Sequence, residues 1–149
     1  MKKRLTIIQM DVHVNDVEYN YNRVQELLSQ SLSESPDIIV LPETWNTGFY
    51  PSKELINIAD RNGERTKLLL STFAKEHNVN IVGGSVAVAK NDVVFNTSYA
   101  YNREGTLVGE YSKMHGFSPA KEDQYFAGGT HTTHFELDGI PCSTVICYD

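Results

Sequence analysis

Between Val17 and Leu32, apolar residues recur every third or fourth position at Val17, Tyr21, Val24, Leu28 and Leu32, with Leu27 widening the stripe. That spacing predicts an amphipathic helix running to about Ser33. Ahead of it, Asn15 and Glu18 stand where a capping box would place them, Asn15 bonding the first turn while Glu18 reaches back. Leu5 to Met10 reads as a short first strand. Beyond the break at Pro36-Asp37, Ile38-Ile39-Val40-Leu41 is a continuous apolar run, the pattern of a strand buried on both faces.

A second helical pattern runs from Gly63 to His77, with Leu68, Leu69, Thr72, Phe73 and Glu76 on and around its stripe. Ile81 to Val88 reads as one strand whose Gly83-Gly84 pair signals a bulge or the close approach of another backbone. Turns at Asn91-Asp92 and at Asn102 to Gly105 introduce strands Val93 to Tyr101 and Leu107 to Lys113. Two more strands, Thr132 to Leu137 and Ile140 to Ile146, meet at Asp138-Gly139. The order predicts an α/β layered domain, with helices packed on a mixed sheet. Residues 44–63 and 114–130 read as long loops of a length that usually serves function.

A chain of 149 residues suits one domain. Its net charge of -6 leaves no basic stripe for phosphates, which excludes nonspecific nucleic-acid binding. Lys2-Lys3-Arg4 opens the chain like a signal peptide, but the apolar run behind it is short, interrupted by Thr6 and Gln9, and followed by no small-residue cleavage site. No run approaches the ~20 apolar residues of a membrane span. The expectation is a cytoplasmic protein with no membrane partner. Cys142 and Cys147 fall on one predicted strand, so they should face opposite sides at a separation of ~17 Å. A disulfide needs Cα atoms within about 7 Å, so both are expected as thiols, Cys142 a structural one.

Glu43, Lys113 and Cys147 each follow a predicted strand at its carboxyl end, the edge where α/β sheets bind ligands. An acid, an ammonium and a thiol together are the parts of a cysteine-based acyl-transfer site. A thiol with a pKa near 8.5 needs a base to take its proton or a cation to favour the thiolate. A glutamate serves as that base and returns the proton to a departing amine. An ammonium and a backbone N–H then hold the oxyanion. His131 and His134 with the two cysteines match no standard zinc spacing, so no metal site is expected. Gly83-Gly84 precedes no helix start and so cradles no phosphate. Trp45, Phe49 and Tyr148 suit either a pocket wall or plain packing, and His115 either an active-site mouth or a loop.

At these residues the sequence resembles the nitrilase superfamily of carbon-nitrogen hydrolases. Leu41-Pro42-Glu43, Tyr111-Ser112-Lys113 with Met114-His115, and Ile146-Cys147-Tyr148-Asp149 resemble its three catalytic motifs, in order. The resemblance runs from Leu5 to the last residue. It implies a four-layer α-β-β-α sandwich, a homodimer, and cofactor-free hydrolysis of a small-molecule amide through a cysteine thioester. It also implies roles for Glu122, as a second glutamate supporting the lysine and the substrate, and for Tyr148, whose backbone N–H shares the oxyanion. Leu41 to Phe49 and Ile81 to Val88 are similar to the bacterial omega-amidase branch, which implies 2-oxo acid amides such as 2-oxoglutaramate and release of ammonia. An acyltransferase of the same family would keep the triad and change only what attacks the thioester. Family members continue beyond this length, so residues 1–149 are expected to be the N-terminal part of a single carbon-nitrogen hydrolase domain. The alternative is a catalytically inactive half-domain or assembly fragment.

Overall fold

Seven strands form one mixed sheet in this computed structural model, which describes residues 2–149. In chain order the elements are β1 (Leu5–Ile7), α1 (Val17–Ser31), β2 (Ile38–Val40), α2 (Leu55–Ile58), β3 (Asp60–Arg61), α3 (Glu64–His77), β4 (Asn80–Val82), β5 (Val86–Lys90), β6 (Val93–Tyr101), β7 (Leu107–Ser112), α4 (Glu122–Tyr125), β8 (His134–Leu137) and β9 (Ile140–Ser143). β1, β2 and β4 run parallel, β6 is antiparallel to β4, β5 and β7, and β3 joins β5 in parallel. β8 and β9 form a separate hairpin.

Helices α1 and α3 cover one face of the sheet. Tyr21, Val24 and Leu28 from α1 and Leu70, Phe73 and Ala74 from α3 join Ile39, Ile81, Val86, Val88, Tyr99 and Tyr101 in one core. Each fully buried side chain of the Leu or Phe class contributes roughly 1.5–3 kcal/mol relative to exposure. At the far end of the other face, Leu55 and Ala59 pack with Ala87 and Val94 against Tyr125 and Phe126. The expected α/β layering is therefore present, as one helix layer on one mixed sheet.

Several local expectations are corrected. The cap of α1 is Asp16, whose carboxylate accepts the Tyr19 N–H at 3.1 Å, while Asn15 has a φ of 62°. Glu18 does not reach back; it is drawn to Arg65 on α3 by a two-pronged ion pair. The predicted strand 81–88 breaks into β4 and β5. Both pair with β6, and the interruption lies at Gly83-Gly84-Ser85, where the chain leaving β2 passes. Residues 44–63 contain α2 and β3, and residues 114–130 contain a 3-10 turn (Ser118–Ala120) and α4. β9 ends at Ser143, so Cys147 does not finish a strand and does not share one with Cys142. Instead the Asp149 N–H bonds the Ile146 carbonyl and closes a turn around Cys147. Among the described residues no helix is long and apolar enough to cross a membrane.

Candidate active site

Glu43 sits on the segment that leaves β2 and crosses the break between β4 and β5. That segment is stitched down on both sides: Leu41 N–H to Val82 O (3.0 Å), Ser85 N–H to Pro42 O (3.0 Å) and Thr44 N–H to Ser85 Oγ (3.0 Å). Asn46 then exchanges bonds with Ala87, accepting its N–H at 2.8 Å and donating to its carbonyl at 3.1 Å. The crossing is close enough that a Cβ at Gly84, already at a φ of +58°, would collide with the Pro42 carbonyl oxygen. This is the close backbone approach that the glycine pair predicts.

Lys113 follows β7, its N–H bonded to Asn96 O at 2.9 Å and its carbonyl to Gly129 N–H at 2.8 Å. Its side chain is buried, and Nζ donates to Glu43 Oε1 at 2.9 Å and to Glu122 Oε2 at 2.8 Å. Glu122, the first residue of α4, is fully buried, and its Oε2 also accepts the Phe117 N–H at 2.6 Å. Desolvation alone would lower the Lys113 pKa. Hydrogen bonds to Glu122 and then Glu43, with their charges, outweigh it and hold the ammonium above the ordinary lysine range. Asn96 completes the cluster, its Nδ2 donating to Glu43 Oε1 at 3.1 Å. A cavity of about 220 Å³ opens beside these groups, lined by Asn96, Lys113, Met114, Glu122 and Phe126 among others. A larger groove of about 570 Å³ lies between α1 and α3 and contains none of the predicted site residues.

Cys147 occupies an exposed turn with a φ of 49°. A non-glycine residue in that region stores strain of order 1–3 kcal/mol, a feature that clusters at functional sites. Desolvation against the site raises the thiol pKa, the Glu43 charge and hydrogen bonding to Glu43 add to the rise, and Lys113 opposes it. Glu43, Lys113 and Glu122 are thus joined by hydrogen bonds, and Cys147 lies near enough for the charges of Glu43 and Lys113 to act on its thiol.

Tyr148 is exposed, with its ring 5.4 Å from Phe117, which in turn lies 6.5 Å from Phe49. These rings line up beside the site. Trp45 is core packing, wholly buried, donating to Gly83 O at 2.9 Å and meeting Tyr21 edge-on. Cys142 remains a free thiol in β9. Among the described residues no group of three or more His, Cys, Asp or Glu side chains is arranged to hold a metal ion.

Sequence reasoning passes over three contributors. Asn96 lies inside a strand pattern and carries no local signal. Phe117 lies in a predicted loop. Asp149 stands two places after Cys147 and accepts from Tyr111 O–H (2.7 Å), Met114 N–H (3.1 Å), His115 N–H (2.9 Å) and Ile146 N–H (3.2 Å). His115 Nδ1 lies 3.0 Å from the same carboxylate, with its ring largely in solvent.

The family profile for carbon-nitrogen hydrolases matches residues 4–149. The 2-oxoglutaramate amidase of Bacillus subtilis is 38% identical over 149 residues, covering 100% of this chain and 57% of that protein. Omega-amidase NIT2 of Danio rerio is 31% identical over 99% of this chain and 55% of its own length. Among solved structures, a CN-hydrolase superfamily protein of Xanthomonas campestris with an arsenic adduct in its active site superposes with a TM-score of 0.86. It is 28% identical, covering 98% of this chain and 53% of that one. The chain spans about half the length of the curated relatives it matches. It belongs to the carbon-nitrogen hydrolase family.

Proposed function

We propose that this chain carries the catalytic residues of an amidohydrolase that splits the C–N bond of a small carboxylic or 2-oxo acid amide through a cysteine thioester. The supporting observation is the convergence of Glu43 and Glu122 on one buried ammonium, Lys113, with Cys147 facing Glu43.

Burial, and then the Glu43 charge, raise the thiol pKa, and Glu43 is placed to take the proton during attack. Glu43 takes the proton while sulfur attacks the amide carbon, and the carbonyl π pair moves onto oxygen. Lys113 Nζ and the Tyr148 backbone N–H hold that oxyanion; one such donor is worth about 3 kcal/mol. The intermediate collapses with cleavage of the C–N bond, Glu43 protonates the leaving nitrogen, and ammonia departs. Water then gives a proton to Glu43 and attacks the thioester, the C–S bond breaks, and the acid leaves as the thiol is restored. Glu122 keeps Lys113 charged and in place. These steps use no cofactor. The similarity to 2-oxoglutaramate amidase supports 2-oxoglutaramate as the first substrate to try, and homodimer formation in the cytoplasm belongs to the same proposal.

A second reading is a noncatalytic half-domain whose apolar surface is covered by another chain. Exposed Ile7, Val145 and Tyr148, with Cys147 itself exposed, favour it for the 149-residue chain taken alone. Both readings are tested by ammonia release from 2-oxoglutaramate, measured on this chain and on the product of the whole reading frame that encodes it, together with sedimentation mass. Ammonia release abolished by Cys147→Ala supports the amidase. Release that survives Cys147→Ala, or no release from any small amide, sinks the thioester mechanism.

A further inference from the structure

We propose that Asp149 is a positioning residue of this site, clamping the turn that carries Cys147 to the strand end that carries Lys113. The inference rests on the thiol reading above and adds a residue that touches no reacting atom. The Asp149 side chain is only 4% exposed, and its two oxygens accept from four donor groups, with a His115 ring nitrogen beside them. Oδ1 accepts Met114 N–H at 3.1 Å and His115 N–H at 2.9 Å, with His115 Nδ1 at 3.0 Å; Oδ2 accepts Tyr111 O–H at 2.7 Å and Ile146 N–H at 3.2 Å. Tyr111, Met114 and His115 bracket Lys113, and Ile146 immediately precedes Cys147. One carboxylate therefore ties the segment around Lys113 to the turn that leads into Cys147.

The donor set demands an acceptor on both oxygens. Asparagine offers one acceptor oxygen and turns its amide hydrogens toward N–H groups that also donate. Burial, and then donation to Asp149, push the Tyr111 pKa up to about 12, so its hydroxyl keeps its proton and stays a donor to the carboxylate. The groups that act on the thiol directly are Glu43 after β2, Lys113 after β7 and Glu122 of α4. Asp149 works on it by fixing where Lys113 stands.

The test uses a Cys142→Ala background, so that Cys147 is the single thiol, and follows its alkylation by iodoacetamide across neutral and alkaline pH. Asp149→Asn is expected to move the midpoint upward and slow the neutral-pH rate about threefold to tenfold, a full unit of pKa being tenfold in thiolate. Asp149→Glu, which keeps both acceptors, is expected to recover most of that rate. In a Lys113→Met chain the Asp149→Asn change is expected to have no further effect on the midpoint. An effect of equal size with and without Lys113 assigns Asp149 a merely structural role and overturns the proposal. If Asp149→Asn does not fold, Tyr111→Phe, which removes one donor to Asp149, is read in the same cycle by the same criterion. Sensitivity to Lys113→Met without sensitivity at Asp149 overturns this inference alone. Insensitivity to Lys113→Met overturns the thiol reading as well.

Discussion

Glu122 Oε2 lies 2.8 Å from Lys113 Nζ, and the two side chains are 1% and 3% exposed. Breaking a buried pair by removing one partner costs roughly 3–5 kcal/mol, because it strands the other charge. Glu122→Ala is therefore expected to lower stability by about that amount, and Glu122→Gln, which keeps an acceptor for Phe117 N–H, by less. Urea unfolding of the two variants measures the difference. A Glu122→Gln chain as stable as the parent would mean that the charge of Glu122 does nothing for Lys113.

The same pair gives the fold an alkaline limb. The Lys113 pKa is raised in the folded state, so its contribution is complete below the unfolded lysine value of about 10.4 and is lost as pH rises through the folded value. Lys113→Met is expected to flatten the decline of stability in that alkaline range. The readout is the urea midpoint as a function of pH.

Reactivity and catalysis at Cys147 should separate. The Glu43 charge raises the thiol pKa and Lys113 lowers it. With Cys142 replaced by alanine, Glu43→Gln is expected to speed alkylation at neutral pH while abolishing ammonia release. Lys113→Met is expected to slow alkylation. If Glu43→Gln slowed alkylation instead, Glu43 would act on the thiol mainly as a base that takes its proton during attack, not as a charge that holds it protonated.

Acid lability should trace to a different cluster. Arg103 grips Asp138 through Nε (2.8 Å) and Nη2 (2.7 Å), and Lys3 adds a bond at 2.7 Å. These donors, Arg103 first, hold the Asp138 carboxyl well below the usual range despite some burial. The stabilisation is present above the unfolded value of about 3.9 and is lost as pH falls below it toward the folded value. Asp138→Asn is expected to lower stability at neutral pH and to lessen its further loss in acid, as read by chemical denaturation at a series of pH values.

Two glycines with positive φ should answer alanine differently. At Gly84 the added methyl meets the Pro42 and Leu41 carbonyls, whereas at Gly139 nothing lies within 4 Å. Gly139→Ala is expected to cost roughly 1–2 kcal/mol of left-handed strain alone. Gly84→Ala should cost more than that and should also displace Glu43. Thermal midpoints of the two variants, with the Cys147 alkylation rate as a second readout, decide this.

Glu43 and Lys113 are legible in the sequence because each follows an apolar run whose direction places it at one sheet edge. Cys147 is legible as a candidate only through its motif, since its run of Val145 and Ile146 imitates a strand. The structure ends β9 at Ser143 because the hydrogen-bonding partner of Ile146 N–H is Asp149, not a neighbouring strand. Asp149 could not be singled out, because an acid beside a turn is commonplace and its donors come from a segment far away in the chain. Asn96 is hidden for the same reason: its role depends on two segments crossing at Glu43. Helices α1 and α3 are legible from period alone, whereas the short α2 and α4 fall inside apparent loops, and the Asp16 cap is hidden because neighbouring Asn15 offers the same chemistry.

The stitching of residues 41–46 onto 82–87 has a consequence for the order in which the protein comes apart. Those bonds tie Glu43 to the central strands, whereas the turn at 146–149 is held by the Asp149 carboxylate and buried Ile146, with Val145, Cys147 and Tyr148 exposed. In native-state hydrogen exchange the amides of the Glu43 segment should open only with the whole sheet, and those around Cys147 at far lower free energy. The base would then be built into the slowest-opening unit of the molecule and the nucleophile into one of its fastest.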